Sequence, residues 1–118
     1  MYAIDTRLIS INGKPLMAYS RDVNIGDTSL TVEAGTTGFC DPDEPLGKHT
    51  DEKKDDPTRT IIRIMCNEGD FCFRLIKKDG ETIGATIATC GEEGLETLMR
   101  AILFASKVFR DECLELND

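Results

Sequence analysis

The sequence predicts an α+β fold: an antiparallel β-sheet of about five or six strands with one long C-terminal helix packed on it. Three observations predict it. Apolar and polar residues alternate with period two in several short segments before Thr89. Asn12-Gly13 and Asp79-Gly80 supply residue pairs favoured in tight hairpin turns. After Thr89 the apolar spacing changes to three and four, the period of a helix lying on a surface.

Length and charge bound the function. At 118 residues and 40% hydrophobic, the chain reads as a single domain, 1–118, with a modest core and a polar loop insertion at about 40–57. Aromatic residues are 6% and tryptophan is absent, which points to self-association as a further source of stability. A formal net charge of −8 argues against a binder of duplex nucleic acid or of an anionic membrane. A nucleotide ligand would have to be small and held by a few placed cations. Five cysteines, with no Cys-x-x-Cys pair, fit reduced thiols better than a zinc site or a disulfide framework. The N-terminus has no basic region followed by an apolar run, and no stretch approaches a membrane span, so a soluble, cytoplasmic protein is expected.

The elements follow in order. Ala3 to Ile11 and Lys14 to Val23 form a first hairpin around Asn12-Gly13, with Pro15 confined to a strand start or an edge and no chemistry in evidence. Asn24 to Asp27 turns the chain into the stretch around which the rest is organised, Leu30 to Phe39. Leu30, Val32 and Ala34 share one face of a strand, and Gly35-Thr36-Thr37-Gly38 then offers hydroxyls and backbone N–H groups from a loop, or forms an ordinary glycine turn. Cys40 to Pro57 is dense in charge, and its Gly47-Lys48 pair lacks the glycine and Ser or Thr of a phosphate-binding loop. His49 there reads as a solvated imidazole. Thr60 to Cys66 is apolar on nearly both faces and is expected to be a central strand. Phe71 to Lys77 and Thr82 to Thr89 continue it as a three-stranded meander. Thr89 or Gly91 caps the helix, Glu92 and Glu93 suit its positive end, and it runs to about Leu114. The stripe of Leu95, Leu98, Met99, Ile102, Ala105, Phe109 and Cys113 is expected to face the sheet. Leu103, Phe104 and Val108 then widen the apolar surface toward another subunit.

Several side chains carry chemistry that binding would need. Arg59, at a strand entry, can hold a phosphate through two parallel N–H bonds, or can pair with Asp55 or Asp56 on the surface. Phe71 stands at a turn edge, where it can stack on a base or fill the core. Arg100, Lys107 and Arg110 gather basic charge along the helix, although a helix C-terminus attracts cations for dipole reasons alone. No nucleophile–base pair, metal cluster or cofactor fingerprint stands out, so no cofactor and no metal are expected, and binding without turnover is the simpler account.

The segments Val-Glu-Ala-Gly-Thr-Thr-Gly-Phe (32–39), Thr-Arg-Thr-Ile-Ile-Arg-Ile (58–64) and Glu-Thr-Leu-Met-Arg-Ala-Ile-Leu-Phe-Ala (96–105), in this order, resemble a phage family, the first family of Thoeris anti-defence proteins. The resemblance covers roughly residues 28–112. It implies a protein that is not an enzyme. Such a sponge sequesters the cyclic ADP-ribose isomers made by bacterial TIR-domain proteins and blocks Thoeris immunity in the cytoplasm of an infected or lysogenic host. It also implies dimers that associate into hexamers, with some members binding cyclic trinucleotides of the CBASS pathway at separate sites. Carried over by motif, Phe39 closes the Gly-Thr-Thr-Gly loop, Arg59 meets phosphate, and Arg110 with Asp111 lies near the ligand. Phe71 and Phe104 are stacking candidates by side-chain type. The chain departs from the pattern after Phe39, where Cys-Asp-Pro-Asp-Glu-Pro replaces an expected glycine-rich stretch. Two other classes fit the composition: an acidic phage protein that inhibits a host protein by mimicking nucleic acid, and a small oligomeric structural protein.

Overall fold

A computed structural model describes residues 4–38 and 58–117, with side chains to residue 113; Phe39 and the polar stretch at 40–57 lie outside the described residues. The elements are β1 (Asp5–Ile11), β2 (Lys14–Ile25), β3 (Thr28–Thr36), β4 (Thr60–Glu68), β5 (Phe71–Lys78), β6 (Glu81–Thr89) and α1 (Glu92–Asn117). All strand pairs are antiparallel, and the expected α+β class is the one adopted. Both predicted hairpin turns form with left-handed central residues. Asn12 and Gly13 take φ of 52° and 79°, and Asp79 and Gly80 take 54° and 82°, which twists the strands in the sense that sheets require.

The six strands divide into a four-stranded sheet, β1-β2-β3-β4, and a separate two-stranded arm, β5-β6. The expected meander through β4 and β5 therefore breaks at its first turn. Gly69 adopts φ 114°, and the space beside it is filled: an added Cβ would lie 2.9 Å from Thr28 Cγ2 and 3.2 Å from Phe71 Cε2. Phe71 turns into the edge of the core at that point, and the rest of β5 leaves the sheet instead of pairing back along β4.

One helix covers one sheet, but only in part. A helix about 10 Å across spans about two strands spaced about 4.8 Å apart, so α1 lies over β3 and β2 and leaves the outer strands uncovered. This corrects the placement of β4, expected to be central. It is an edge strand, and Ile62 and Met65 stand 50% and 41% exposed. The apolar run that looked doubly buried is buried nowhere completely.

The helix face is also corrected. Ala101, Phe104, Ala105 and Val108 pack on Val23, Leu30, Val32 and Ala34, whereas Leu95, Met99 and Ile102 of the expected stripe face outward. Small residues decided the matter. Ala101 and Ala105 let the helix approach the sheet closely, and Phe104 then fills the seam. Each fully buried Leu or Val contributes about 1.5–3 kcal/mol relative to exposure.

A polar knot fixes the helix start to the β2–β3 turn. The Thr28 and Thr97 hydroxyls pair at 2.6 Å, one donating to the other, and the accepting hydroxyl donates in turn to a backbone carbonyl, Thr97 to Glu93 O or Thr28 to Ile25 O, each at 2.7 Å. Thr97 is fully buried, so these bonds satisfy a group that would otherwise be costly. Of the two expected caps, Gly91 serves: its carbonyl accepts the Leu95 N–H at 3.1 Å, whereas the Thr89 hydroxyl donates to Asp70 O.

Candidate anion-binding groove

Strand β2 sends Tyr19, Arg21 and Val23 to the helix side, opposite Ala34, Val32 and Leu30 of β3. Because α1 is narrower than the sheet, Arg21 emerges along the flank of the helix. Its guanidinium carbon lies 5.6 Å from the centre of the Phe104 ring, a cation–π arrangement. Two adjoining hollows of about 240 and 310 Å³ share Arg21, Phe104 and Lys107 as walls. The first is extended by Arg100 and Leu103 and the second by Tyr19 and Asp111. Together they reach the size of a small-ligand site, with Phe104 between Arg21 on the strand side and Arg100 and Lys107 on the helix side, and with the Asp111 and Glu112 carboxylates also in the lining.

Two of these cations, Arg100 and Lys107, are held in exposed pairs. Arg100 Nη2 donates to Glu96 at 3.2 Å and Lys107 Nζ to Asp111 at 2.6 Å, both pairs exposed on the helix surface at four-residue spacing. Such pairs are worth about 0–1 kcal/mol, so a bound phosphate can replace the carboxylate at small cost.

On the opposite face of the sheet a second charged cluster is closed on itself. Arg7 on β1 reaches across Ala18 and Ser20 of β2 and donates from Nε and Nη2 to the two oxygens of Glu33, each at 2.6 Å. Arg63 Nη1 adds a contact at 3.6 Å. The fork of hydrogen bonds from Arg7 holds the buried Glu33 carboxyl below the usual range, against the opposing effect of burial, and raises the Arg7 guanidinium in turn. This cluster ties β1, β3 and β4 together.

The threonines of the Gly-Thr-Thr-Gly stretch are likewise engaged within the chain. Thr36 and Thr60 hydroxyls pair at 2.8 Å, Thr37 Oγ1 accepts the Arg59 N–H at 3.1 Å, and Thr58 Oγ1 donates to Gly38 O at 2.6 Å. They zip the end of β3 to the start of β4. Buried Arg59 donates from Nε to Ile11 O at 3.1 Å and braces the first hairpin turn against this zipper.

Of the residues singled out from the sequence, the groove brings together Phe104 and Asp111. Arg110 is exposed on α1 beyond the groove lining, Phe71 sits half-buried at the base of the arm, Arg59 belongs to the zipper, and Phe39 lies outside the described residues. Sequence reasoning missed Arg21 and Tyr19. A signal was present, since Arg21 occupies the apolar phase of a strand between Tyr19 and Val23, where a cation must reach an edge or a partner.

Scans against protein-family models, curated proteins and solved structures return no match for this chain. Among the described residues, no helix is long and apolar enough to cross a membrane, and no group of three or more His, Cys, Asp and Glu side chains is placed to hold a metal ion.

Proposed function

We propose that this chain is a phage sponge that binds a cyclic ADP-ribose signalling nucleotide in the β2–α1 groove and withholds it, uncleaved, from Thoeris immunity. The observation that supports this reading is the gathering of Arg21, Arg100 and Lys107 beside Phe104 in a protein of net charge −8. A cyclic ADP-ribose isomer presents a pyrophosphate and a flat base. The cations suit the first and the Phe104 and Tyr19 rings suit the second. Sequestration succeeds only if the dissociation constant lies well below the concentration at which the signal acts, and several charge-assisted bonds in one groove serve that end.

The test is direct. Purified protein is incubated with TIR-derived cyclic ADP-ribose isomers, freed of unbound ligand and heated, and the released material is analysed. Recovery of the unaltered nucleotide is expected, whereas no retained nucleotide would overturn the proposal. Lys107→Ala should weaken retention by about 10- to 100-fold, the worth of one charge-assisted bond. Arg110→Ala tests the assignment carried by resemblance: a comparable loss would place the ligand on the outer side of the helix tail, and no change would favour the groove.

A further inference from the structure

Two thiols meet at the root of the β5–β6 arm. Cys72 and Cys90 are both exposed, and they line one hollow of about 230 Å³ together with Asp70, Ala88 and Thr89. The register explains the meeting. Phe71 stands opposite Thr89, so Cys72 and Cys90 lie one residue to either side of that pair, on the same face of the arm, as diagonal neighbours across the two strands. Cys90 also falls in the short joint between β6, which ends at Thr89, and α1, which begins at Glu92. The joint is braced at both ends. The Thr89 hydroxyl donates to Asp70 O at 3.0 Å and fills the space beside Gly94 in the first turn of the helix, and the Gly91 carbonyl accepts the Leu95 N–H at 3.1 Å. The cysteine between these anchors is thereby held beside Cys72.

The spacing decides what the pair can hold. Diagonal cross-strand neighbours have Cα atoms about 7–8 Å apart, beyond the roughly 4.4–6.8 Å that a disulfide bridges. An ion between the sulfurs lengthens the bridge: two metal–sulfur bonds of about 2.3 Å span about 4.6 Å, against about 2 Å for an S–S bond. The extra length of about 2.6 Å covers the shortfall. A structural zinc ion would need further ligands. Among the described residues no group of three or more His, Cys, Asp and Glu side chains is placed to supply them, and Asp70 lines the hollow without completing such a group. Two thiolates by themselves suit a soft monovalent ion that accepts linear coordination, and sulfur ligands favour copper(I) over the harder divalent ions.

We infer that Cys72 and Cys90 form a two-coordinate site for copper(I) at the root of the arm. Binding displaces one proton from each thiol and leaves a singly negative complex of two thiolates and the ion. Its surroundings favour that charge. The positive end of α1 begins two residues after Cys90, and Arg74 shares the Cys72 face of β5 by strand alternation. The ion links β5 to the joint that leads into α1, and so ties the arm to the start of the helix. This site is separate from the β2–α1 groove and does not rest on the nucleotide reading.

The test is a titration of the reduced, anaerobic full chain with copper(I) in competition with bathocuproine disulfonate, a coloured chelator of that ion. The wild type should withdraw a single equivalent from the chelator. Cys72→Ser and Cys90→Ser should each weaken retention by more than the roughly 10- to 100-fold that loss of an outer-shell group costs, because a hydroxyl is a poor ligand for a soft ion. Cys66→Ser and Cys113→Ser should leave retention unchanged. Copper left wholly with the chelator would overturn the inference, and so would retention that survives in Cys72→Ser or Cys90→Ser or is lost in Cys66→Ser or Cys113→Ser. X-ray absorption at the copper edge of the loaded wild type gives a readout independent of variant folding. Two sulfur neighbours are expected, and any other shell would also overturn it.

Discussion

Gly35→Ala offers the most direct check on the packing at the centre of the sheet. A Cβ at residue 35 would lie 2.5 Å from the Met17 carbonyl oxygen and 3.1 Å from Ala18 Cα. Both obstacles are backbone atoms of β2, so no side-chain rotation relieves them. Strand β2 is also held on its far side, where Leu8 and Arg7 of β1 pair with Met17 and Ala18. Relief therefore requires β2 and β3 to separate locally and weaken their ladder. Overpacking of this kind costs about 1–3 kcal/mol, and a rigid obstacle places it near the upper value. Alanine recovers about 0.4–1 kcal/mol by restricting the unfolded chain, which leaves a net loss of about 2 kcal/mol. At about 4 °C per kcal/mol for a domain of this length, the midpoint of thermal unfolding should fall by about 8 °C. Scanning calorimetry and urea titration measure it. Gly80→Ala separates this effect from backbone freedom, since Gly80 has φ 82° but nothing within 4 Å of an added Cβ. Its cost is the left-handed backbone alone, about 1 kcal/mol. A Gly35→Ala protein as stable as the wild type, or less affected than Gly80→Ala, would refute the close-approach argument.

Other perturbations probe the remaining joints. Thr97→Val keeps the shape of a fully buried side chain but removes a hydroxyl bonded to Glu93 O and Thr28, so the urea midpoint should report a loss of about 1–2 kcal/mol, with Thr97→Ser recovering part of the loss. Glu33 has a lowered folded-state pKa, so its contribution is complete above the unfolded carboxyl value of about 4.3 and is lost as pH falls through the folded value. The stability gap between wild type and Glu33→Gln should therefore be wide at neutral pH and close in acid, whereas a gap independent of pH would exclude the Arg7 fork as its cause. Arg7 has a raised value through the same pair, so on the alkaline side the contribution persists until strong alkali, while in acid it is lost together with the Glu33 charge. Retention of a nucleotide by the groove should weaken with added salt, measured by equilibrium dialysis, because its cations are exposed and screened.

Local structure was legible in the sequence wherever it depended on neighbours along the chain. Asn12-Gly13 and Asp79-Gly80 specify their turns by backbone conformation, the alternation of Leu30, Val32 and Ala34 specifies a core-facing strand, and Gly91 with Glu92 and Glu93 specifies a helix start. Phe104 was a candidate by side-chain type, and Asp111 only through the family resemblance. What depended on width and on competition between faces was not legible. The apolar run of β4 reads the same whether it is central or left at an edge by a helix that spans two strands. Helix α1 is apolar on two opposite sides, and only close approach through Ala101 and Ala105 decided which side meets the sheet. The groove follows from that choice: it exists because Phe104 faces inward while Arg21 of a distant strand reaches the same seam. Periodicity alone therefore determined the elements and their caps. The tertiary structure decided which apolar faces are spent on the core and which remain exposed, because burial depends on distances between elements that no local pattern encodes.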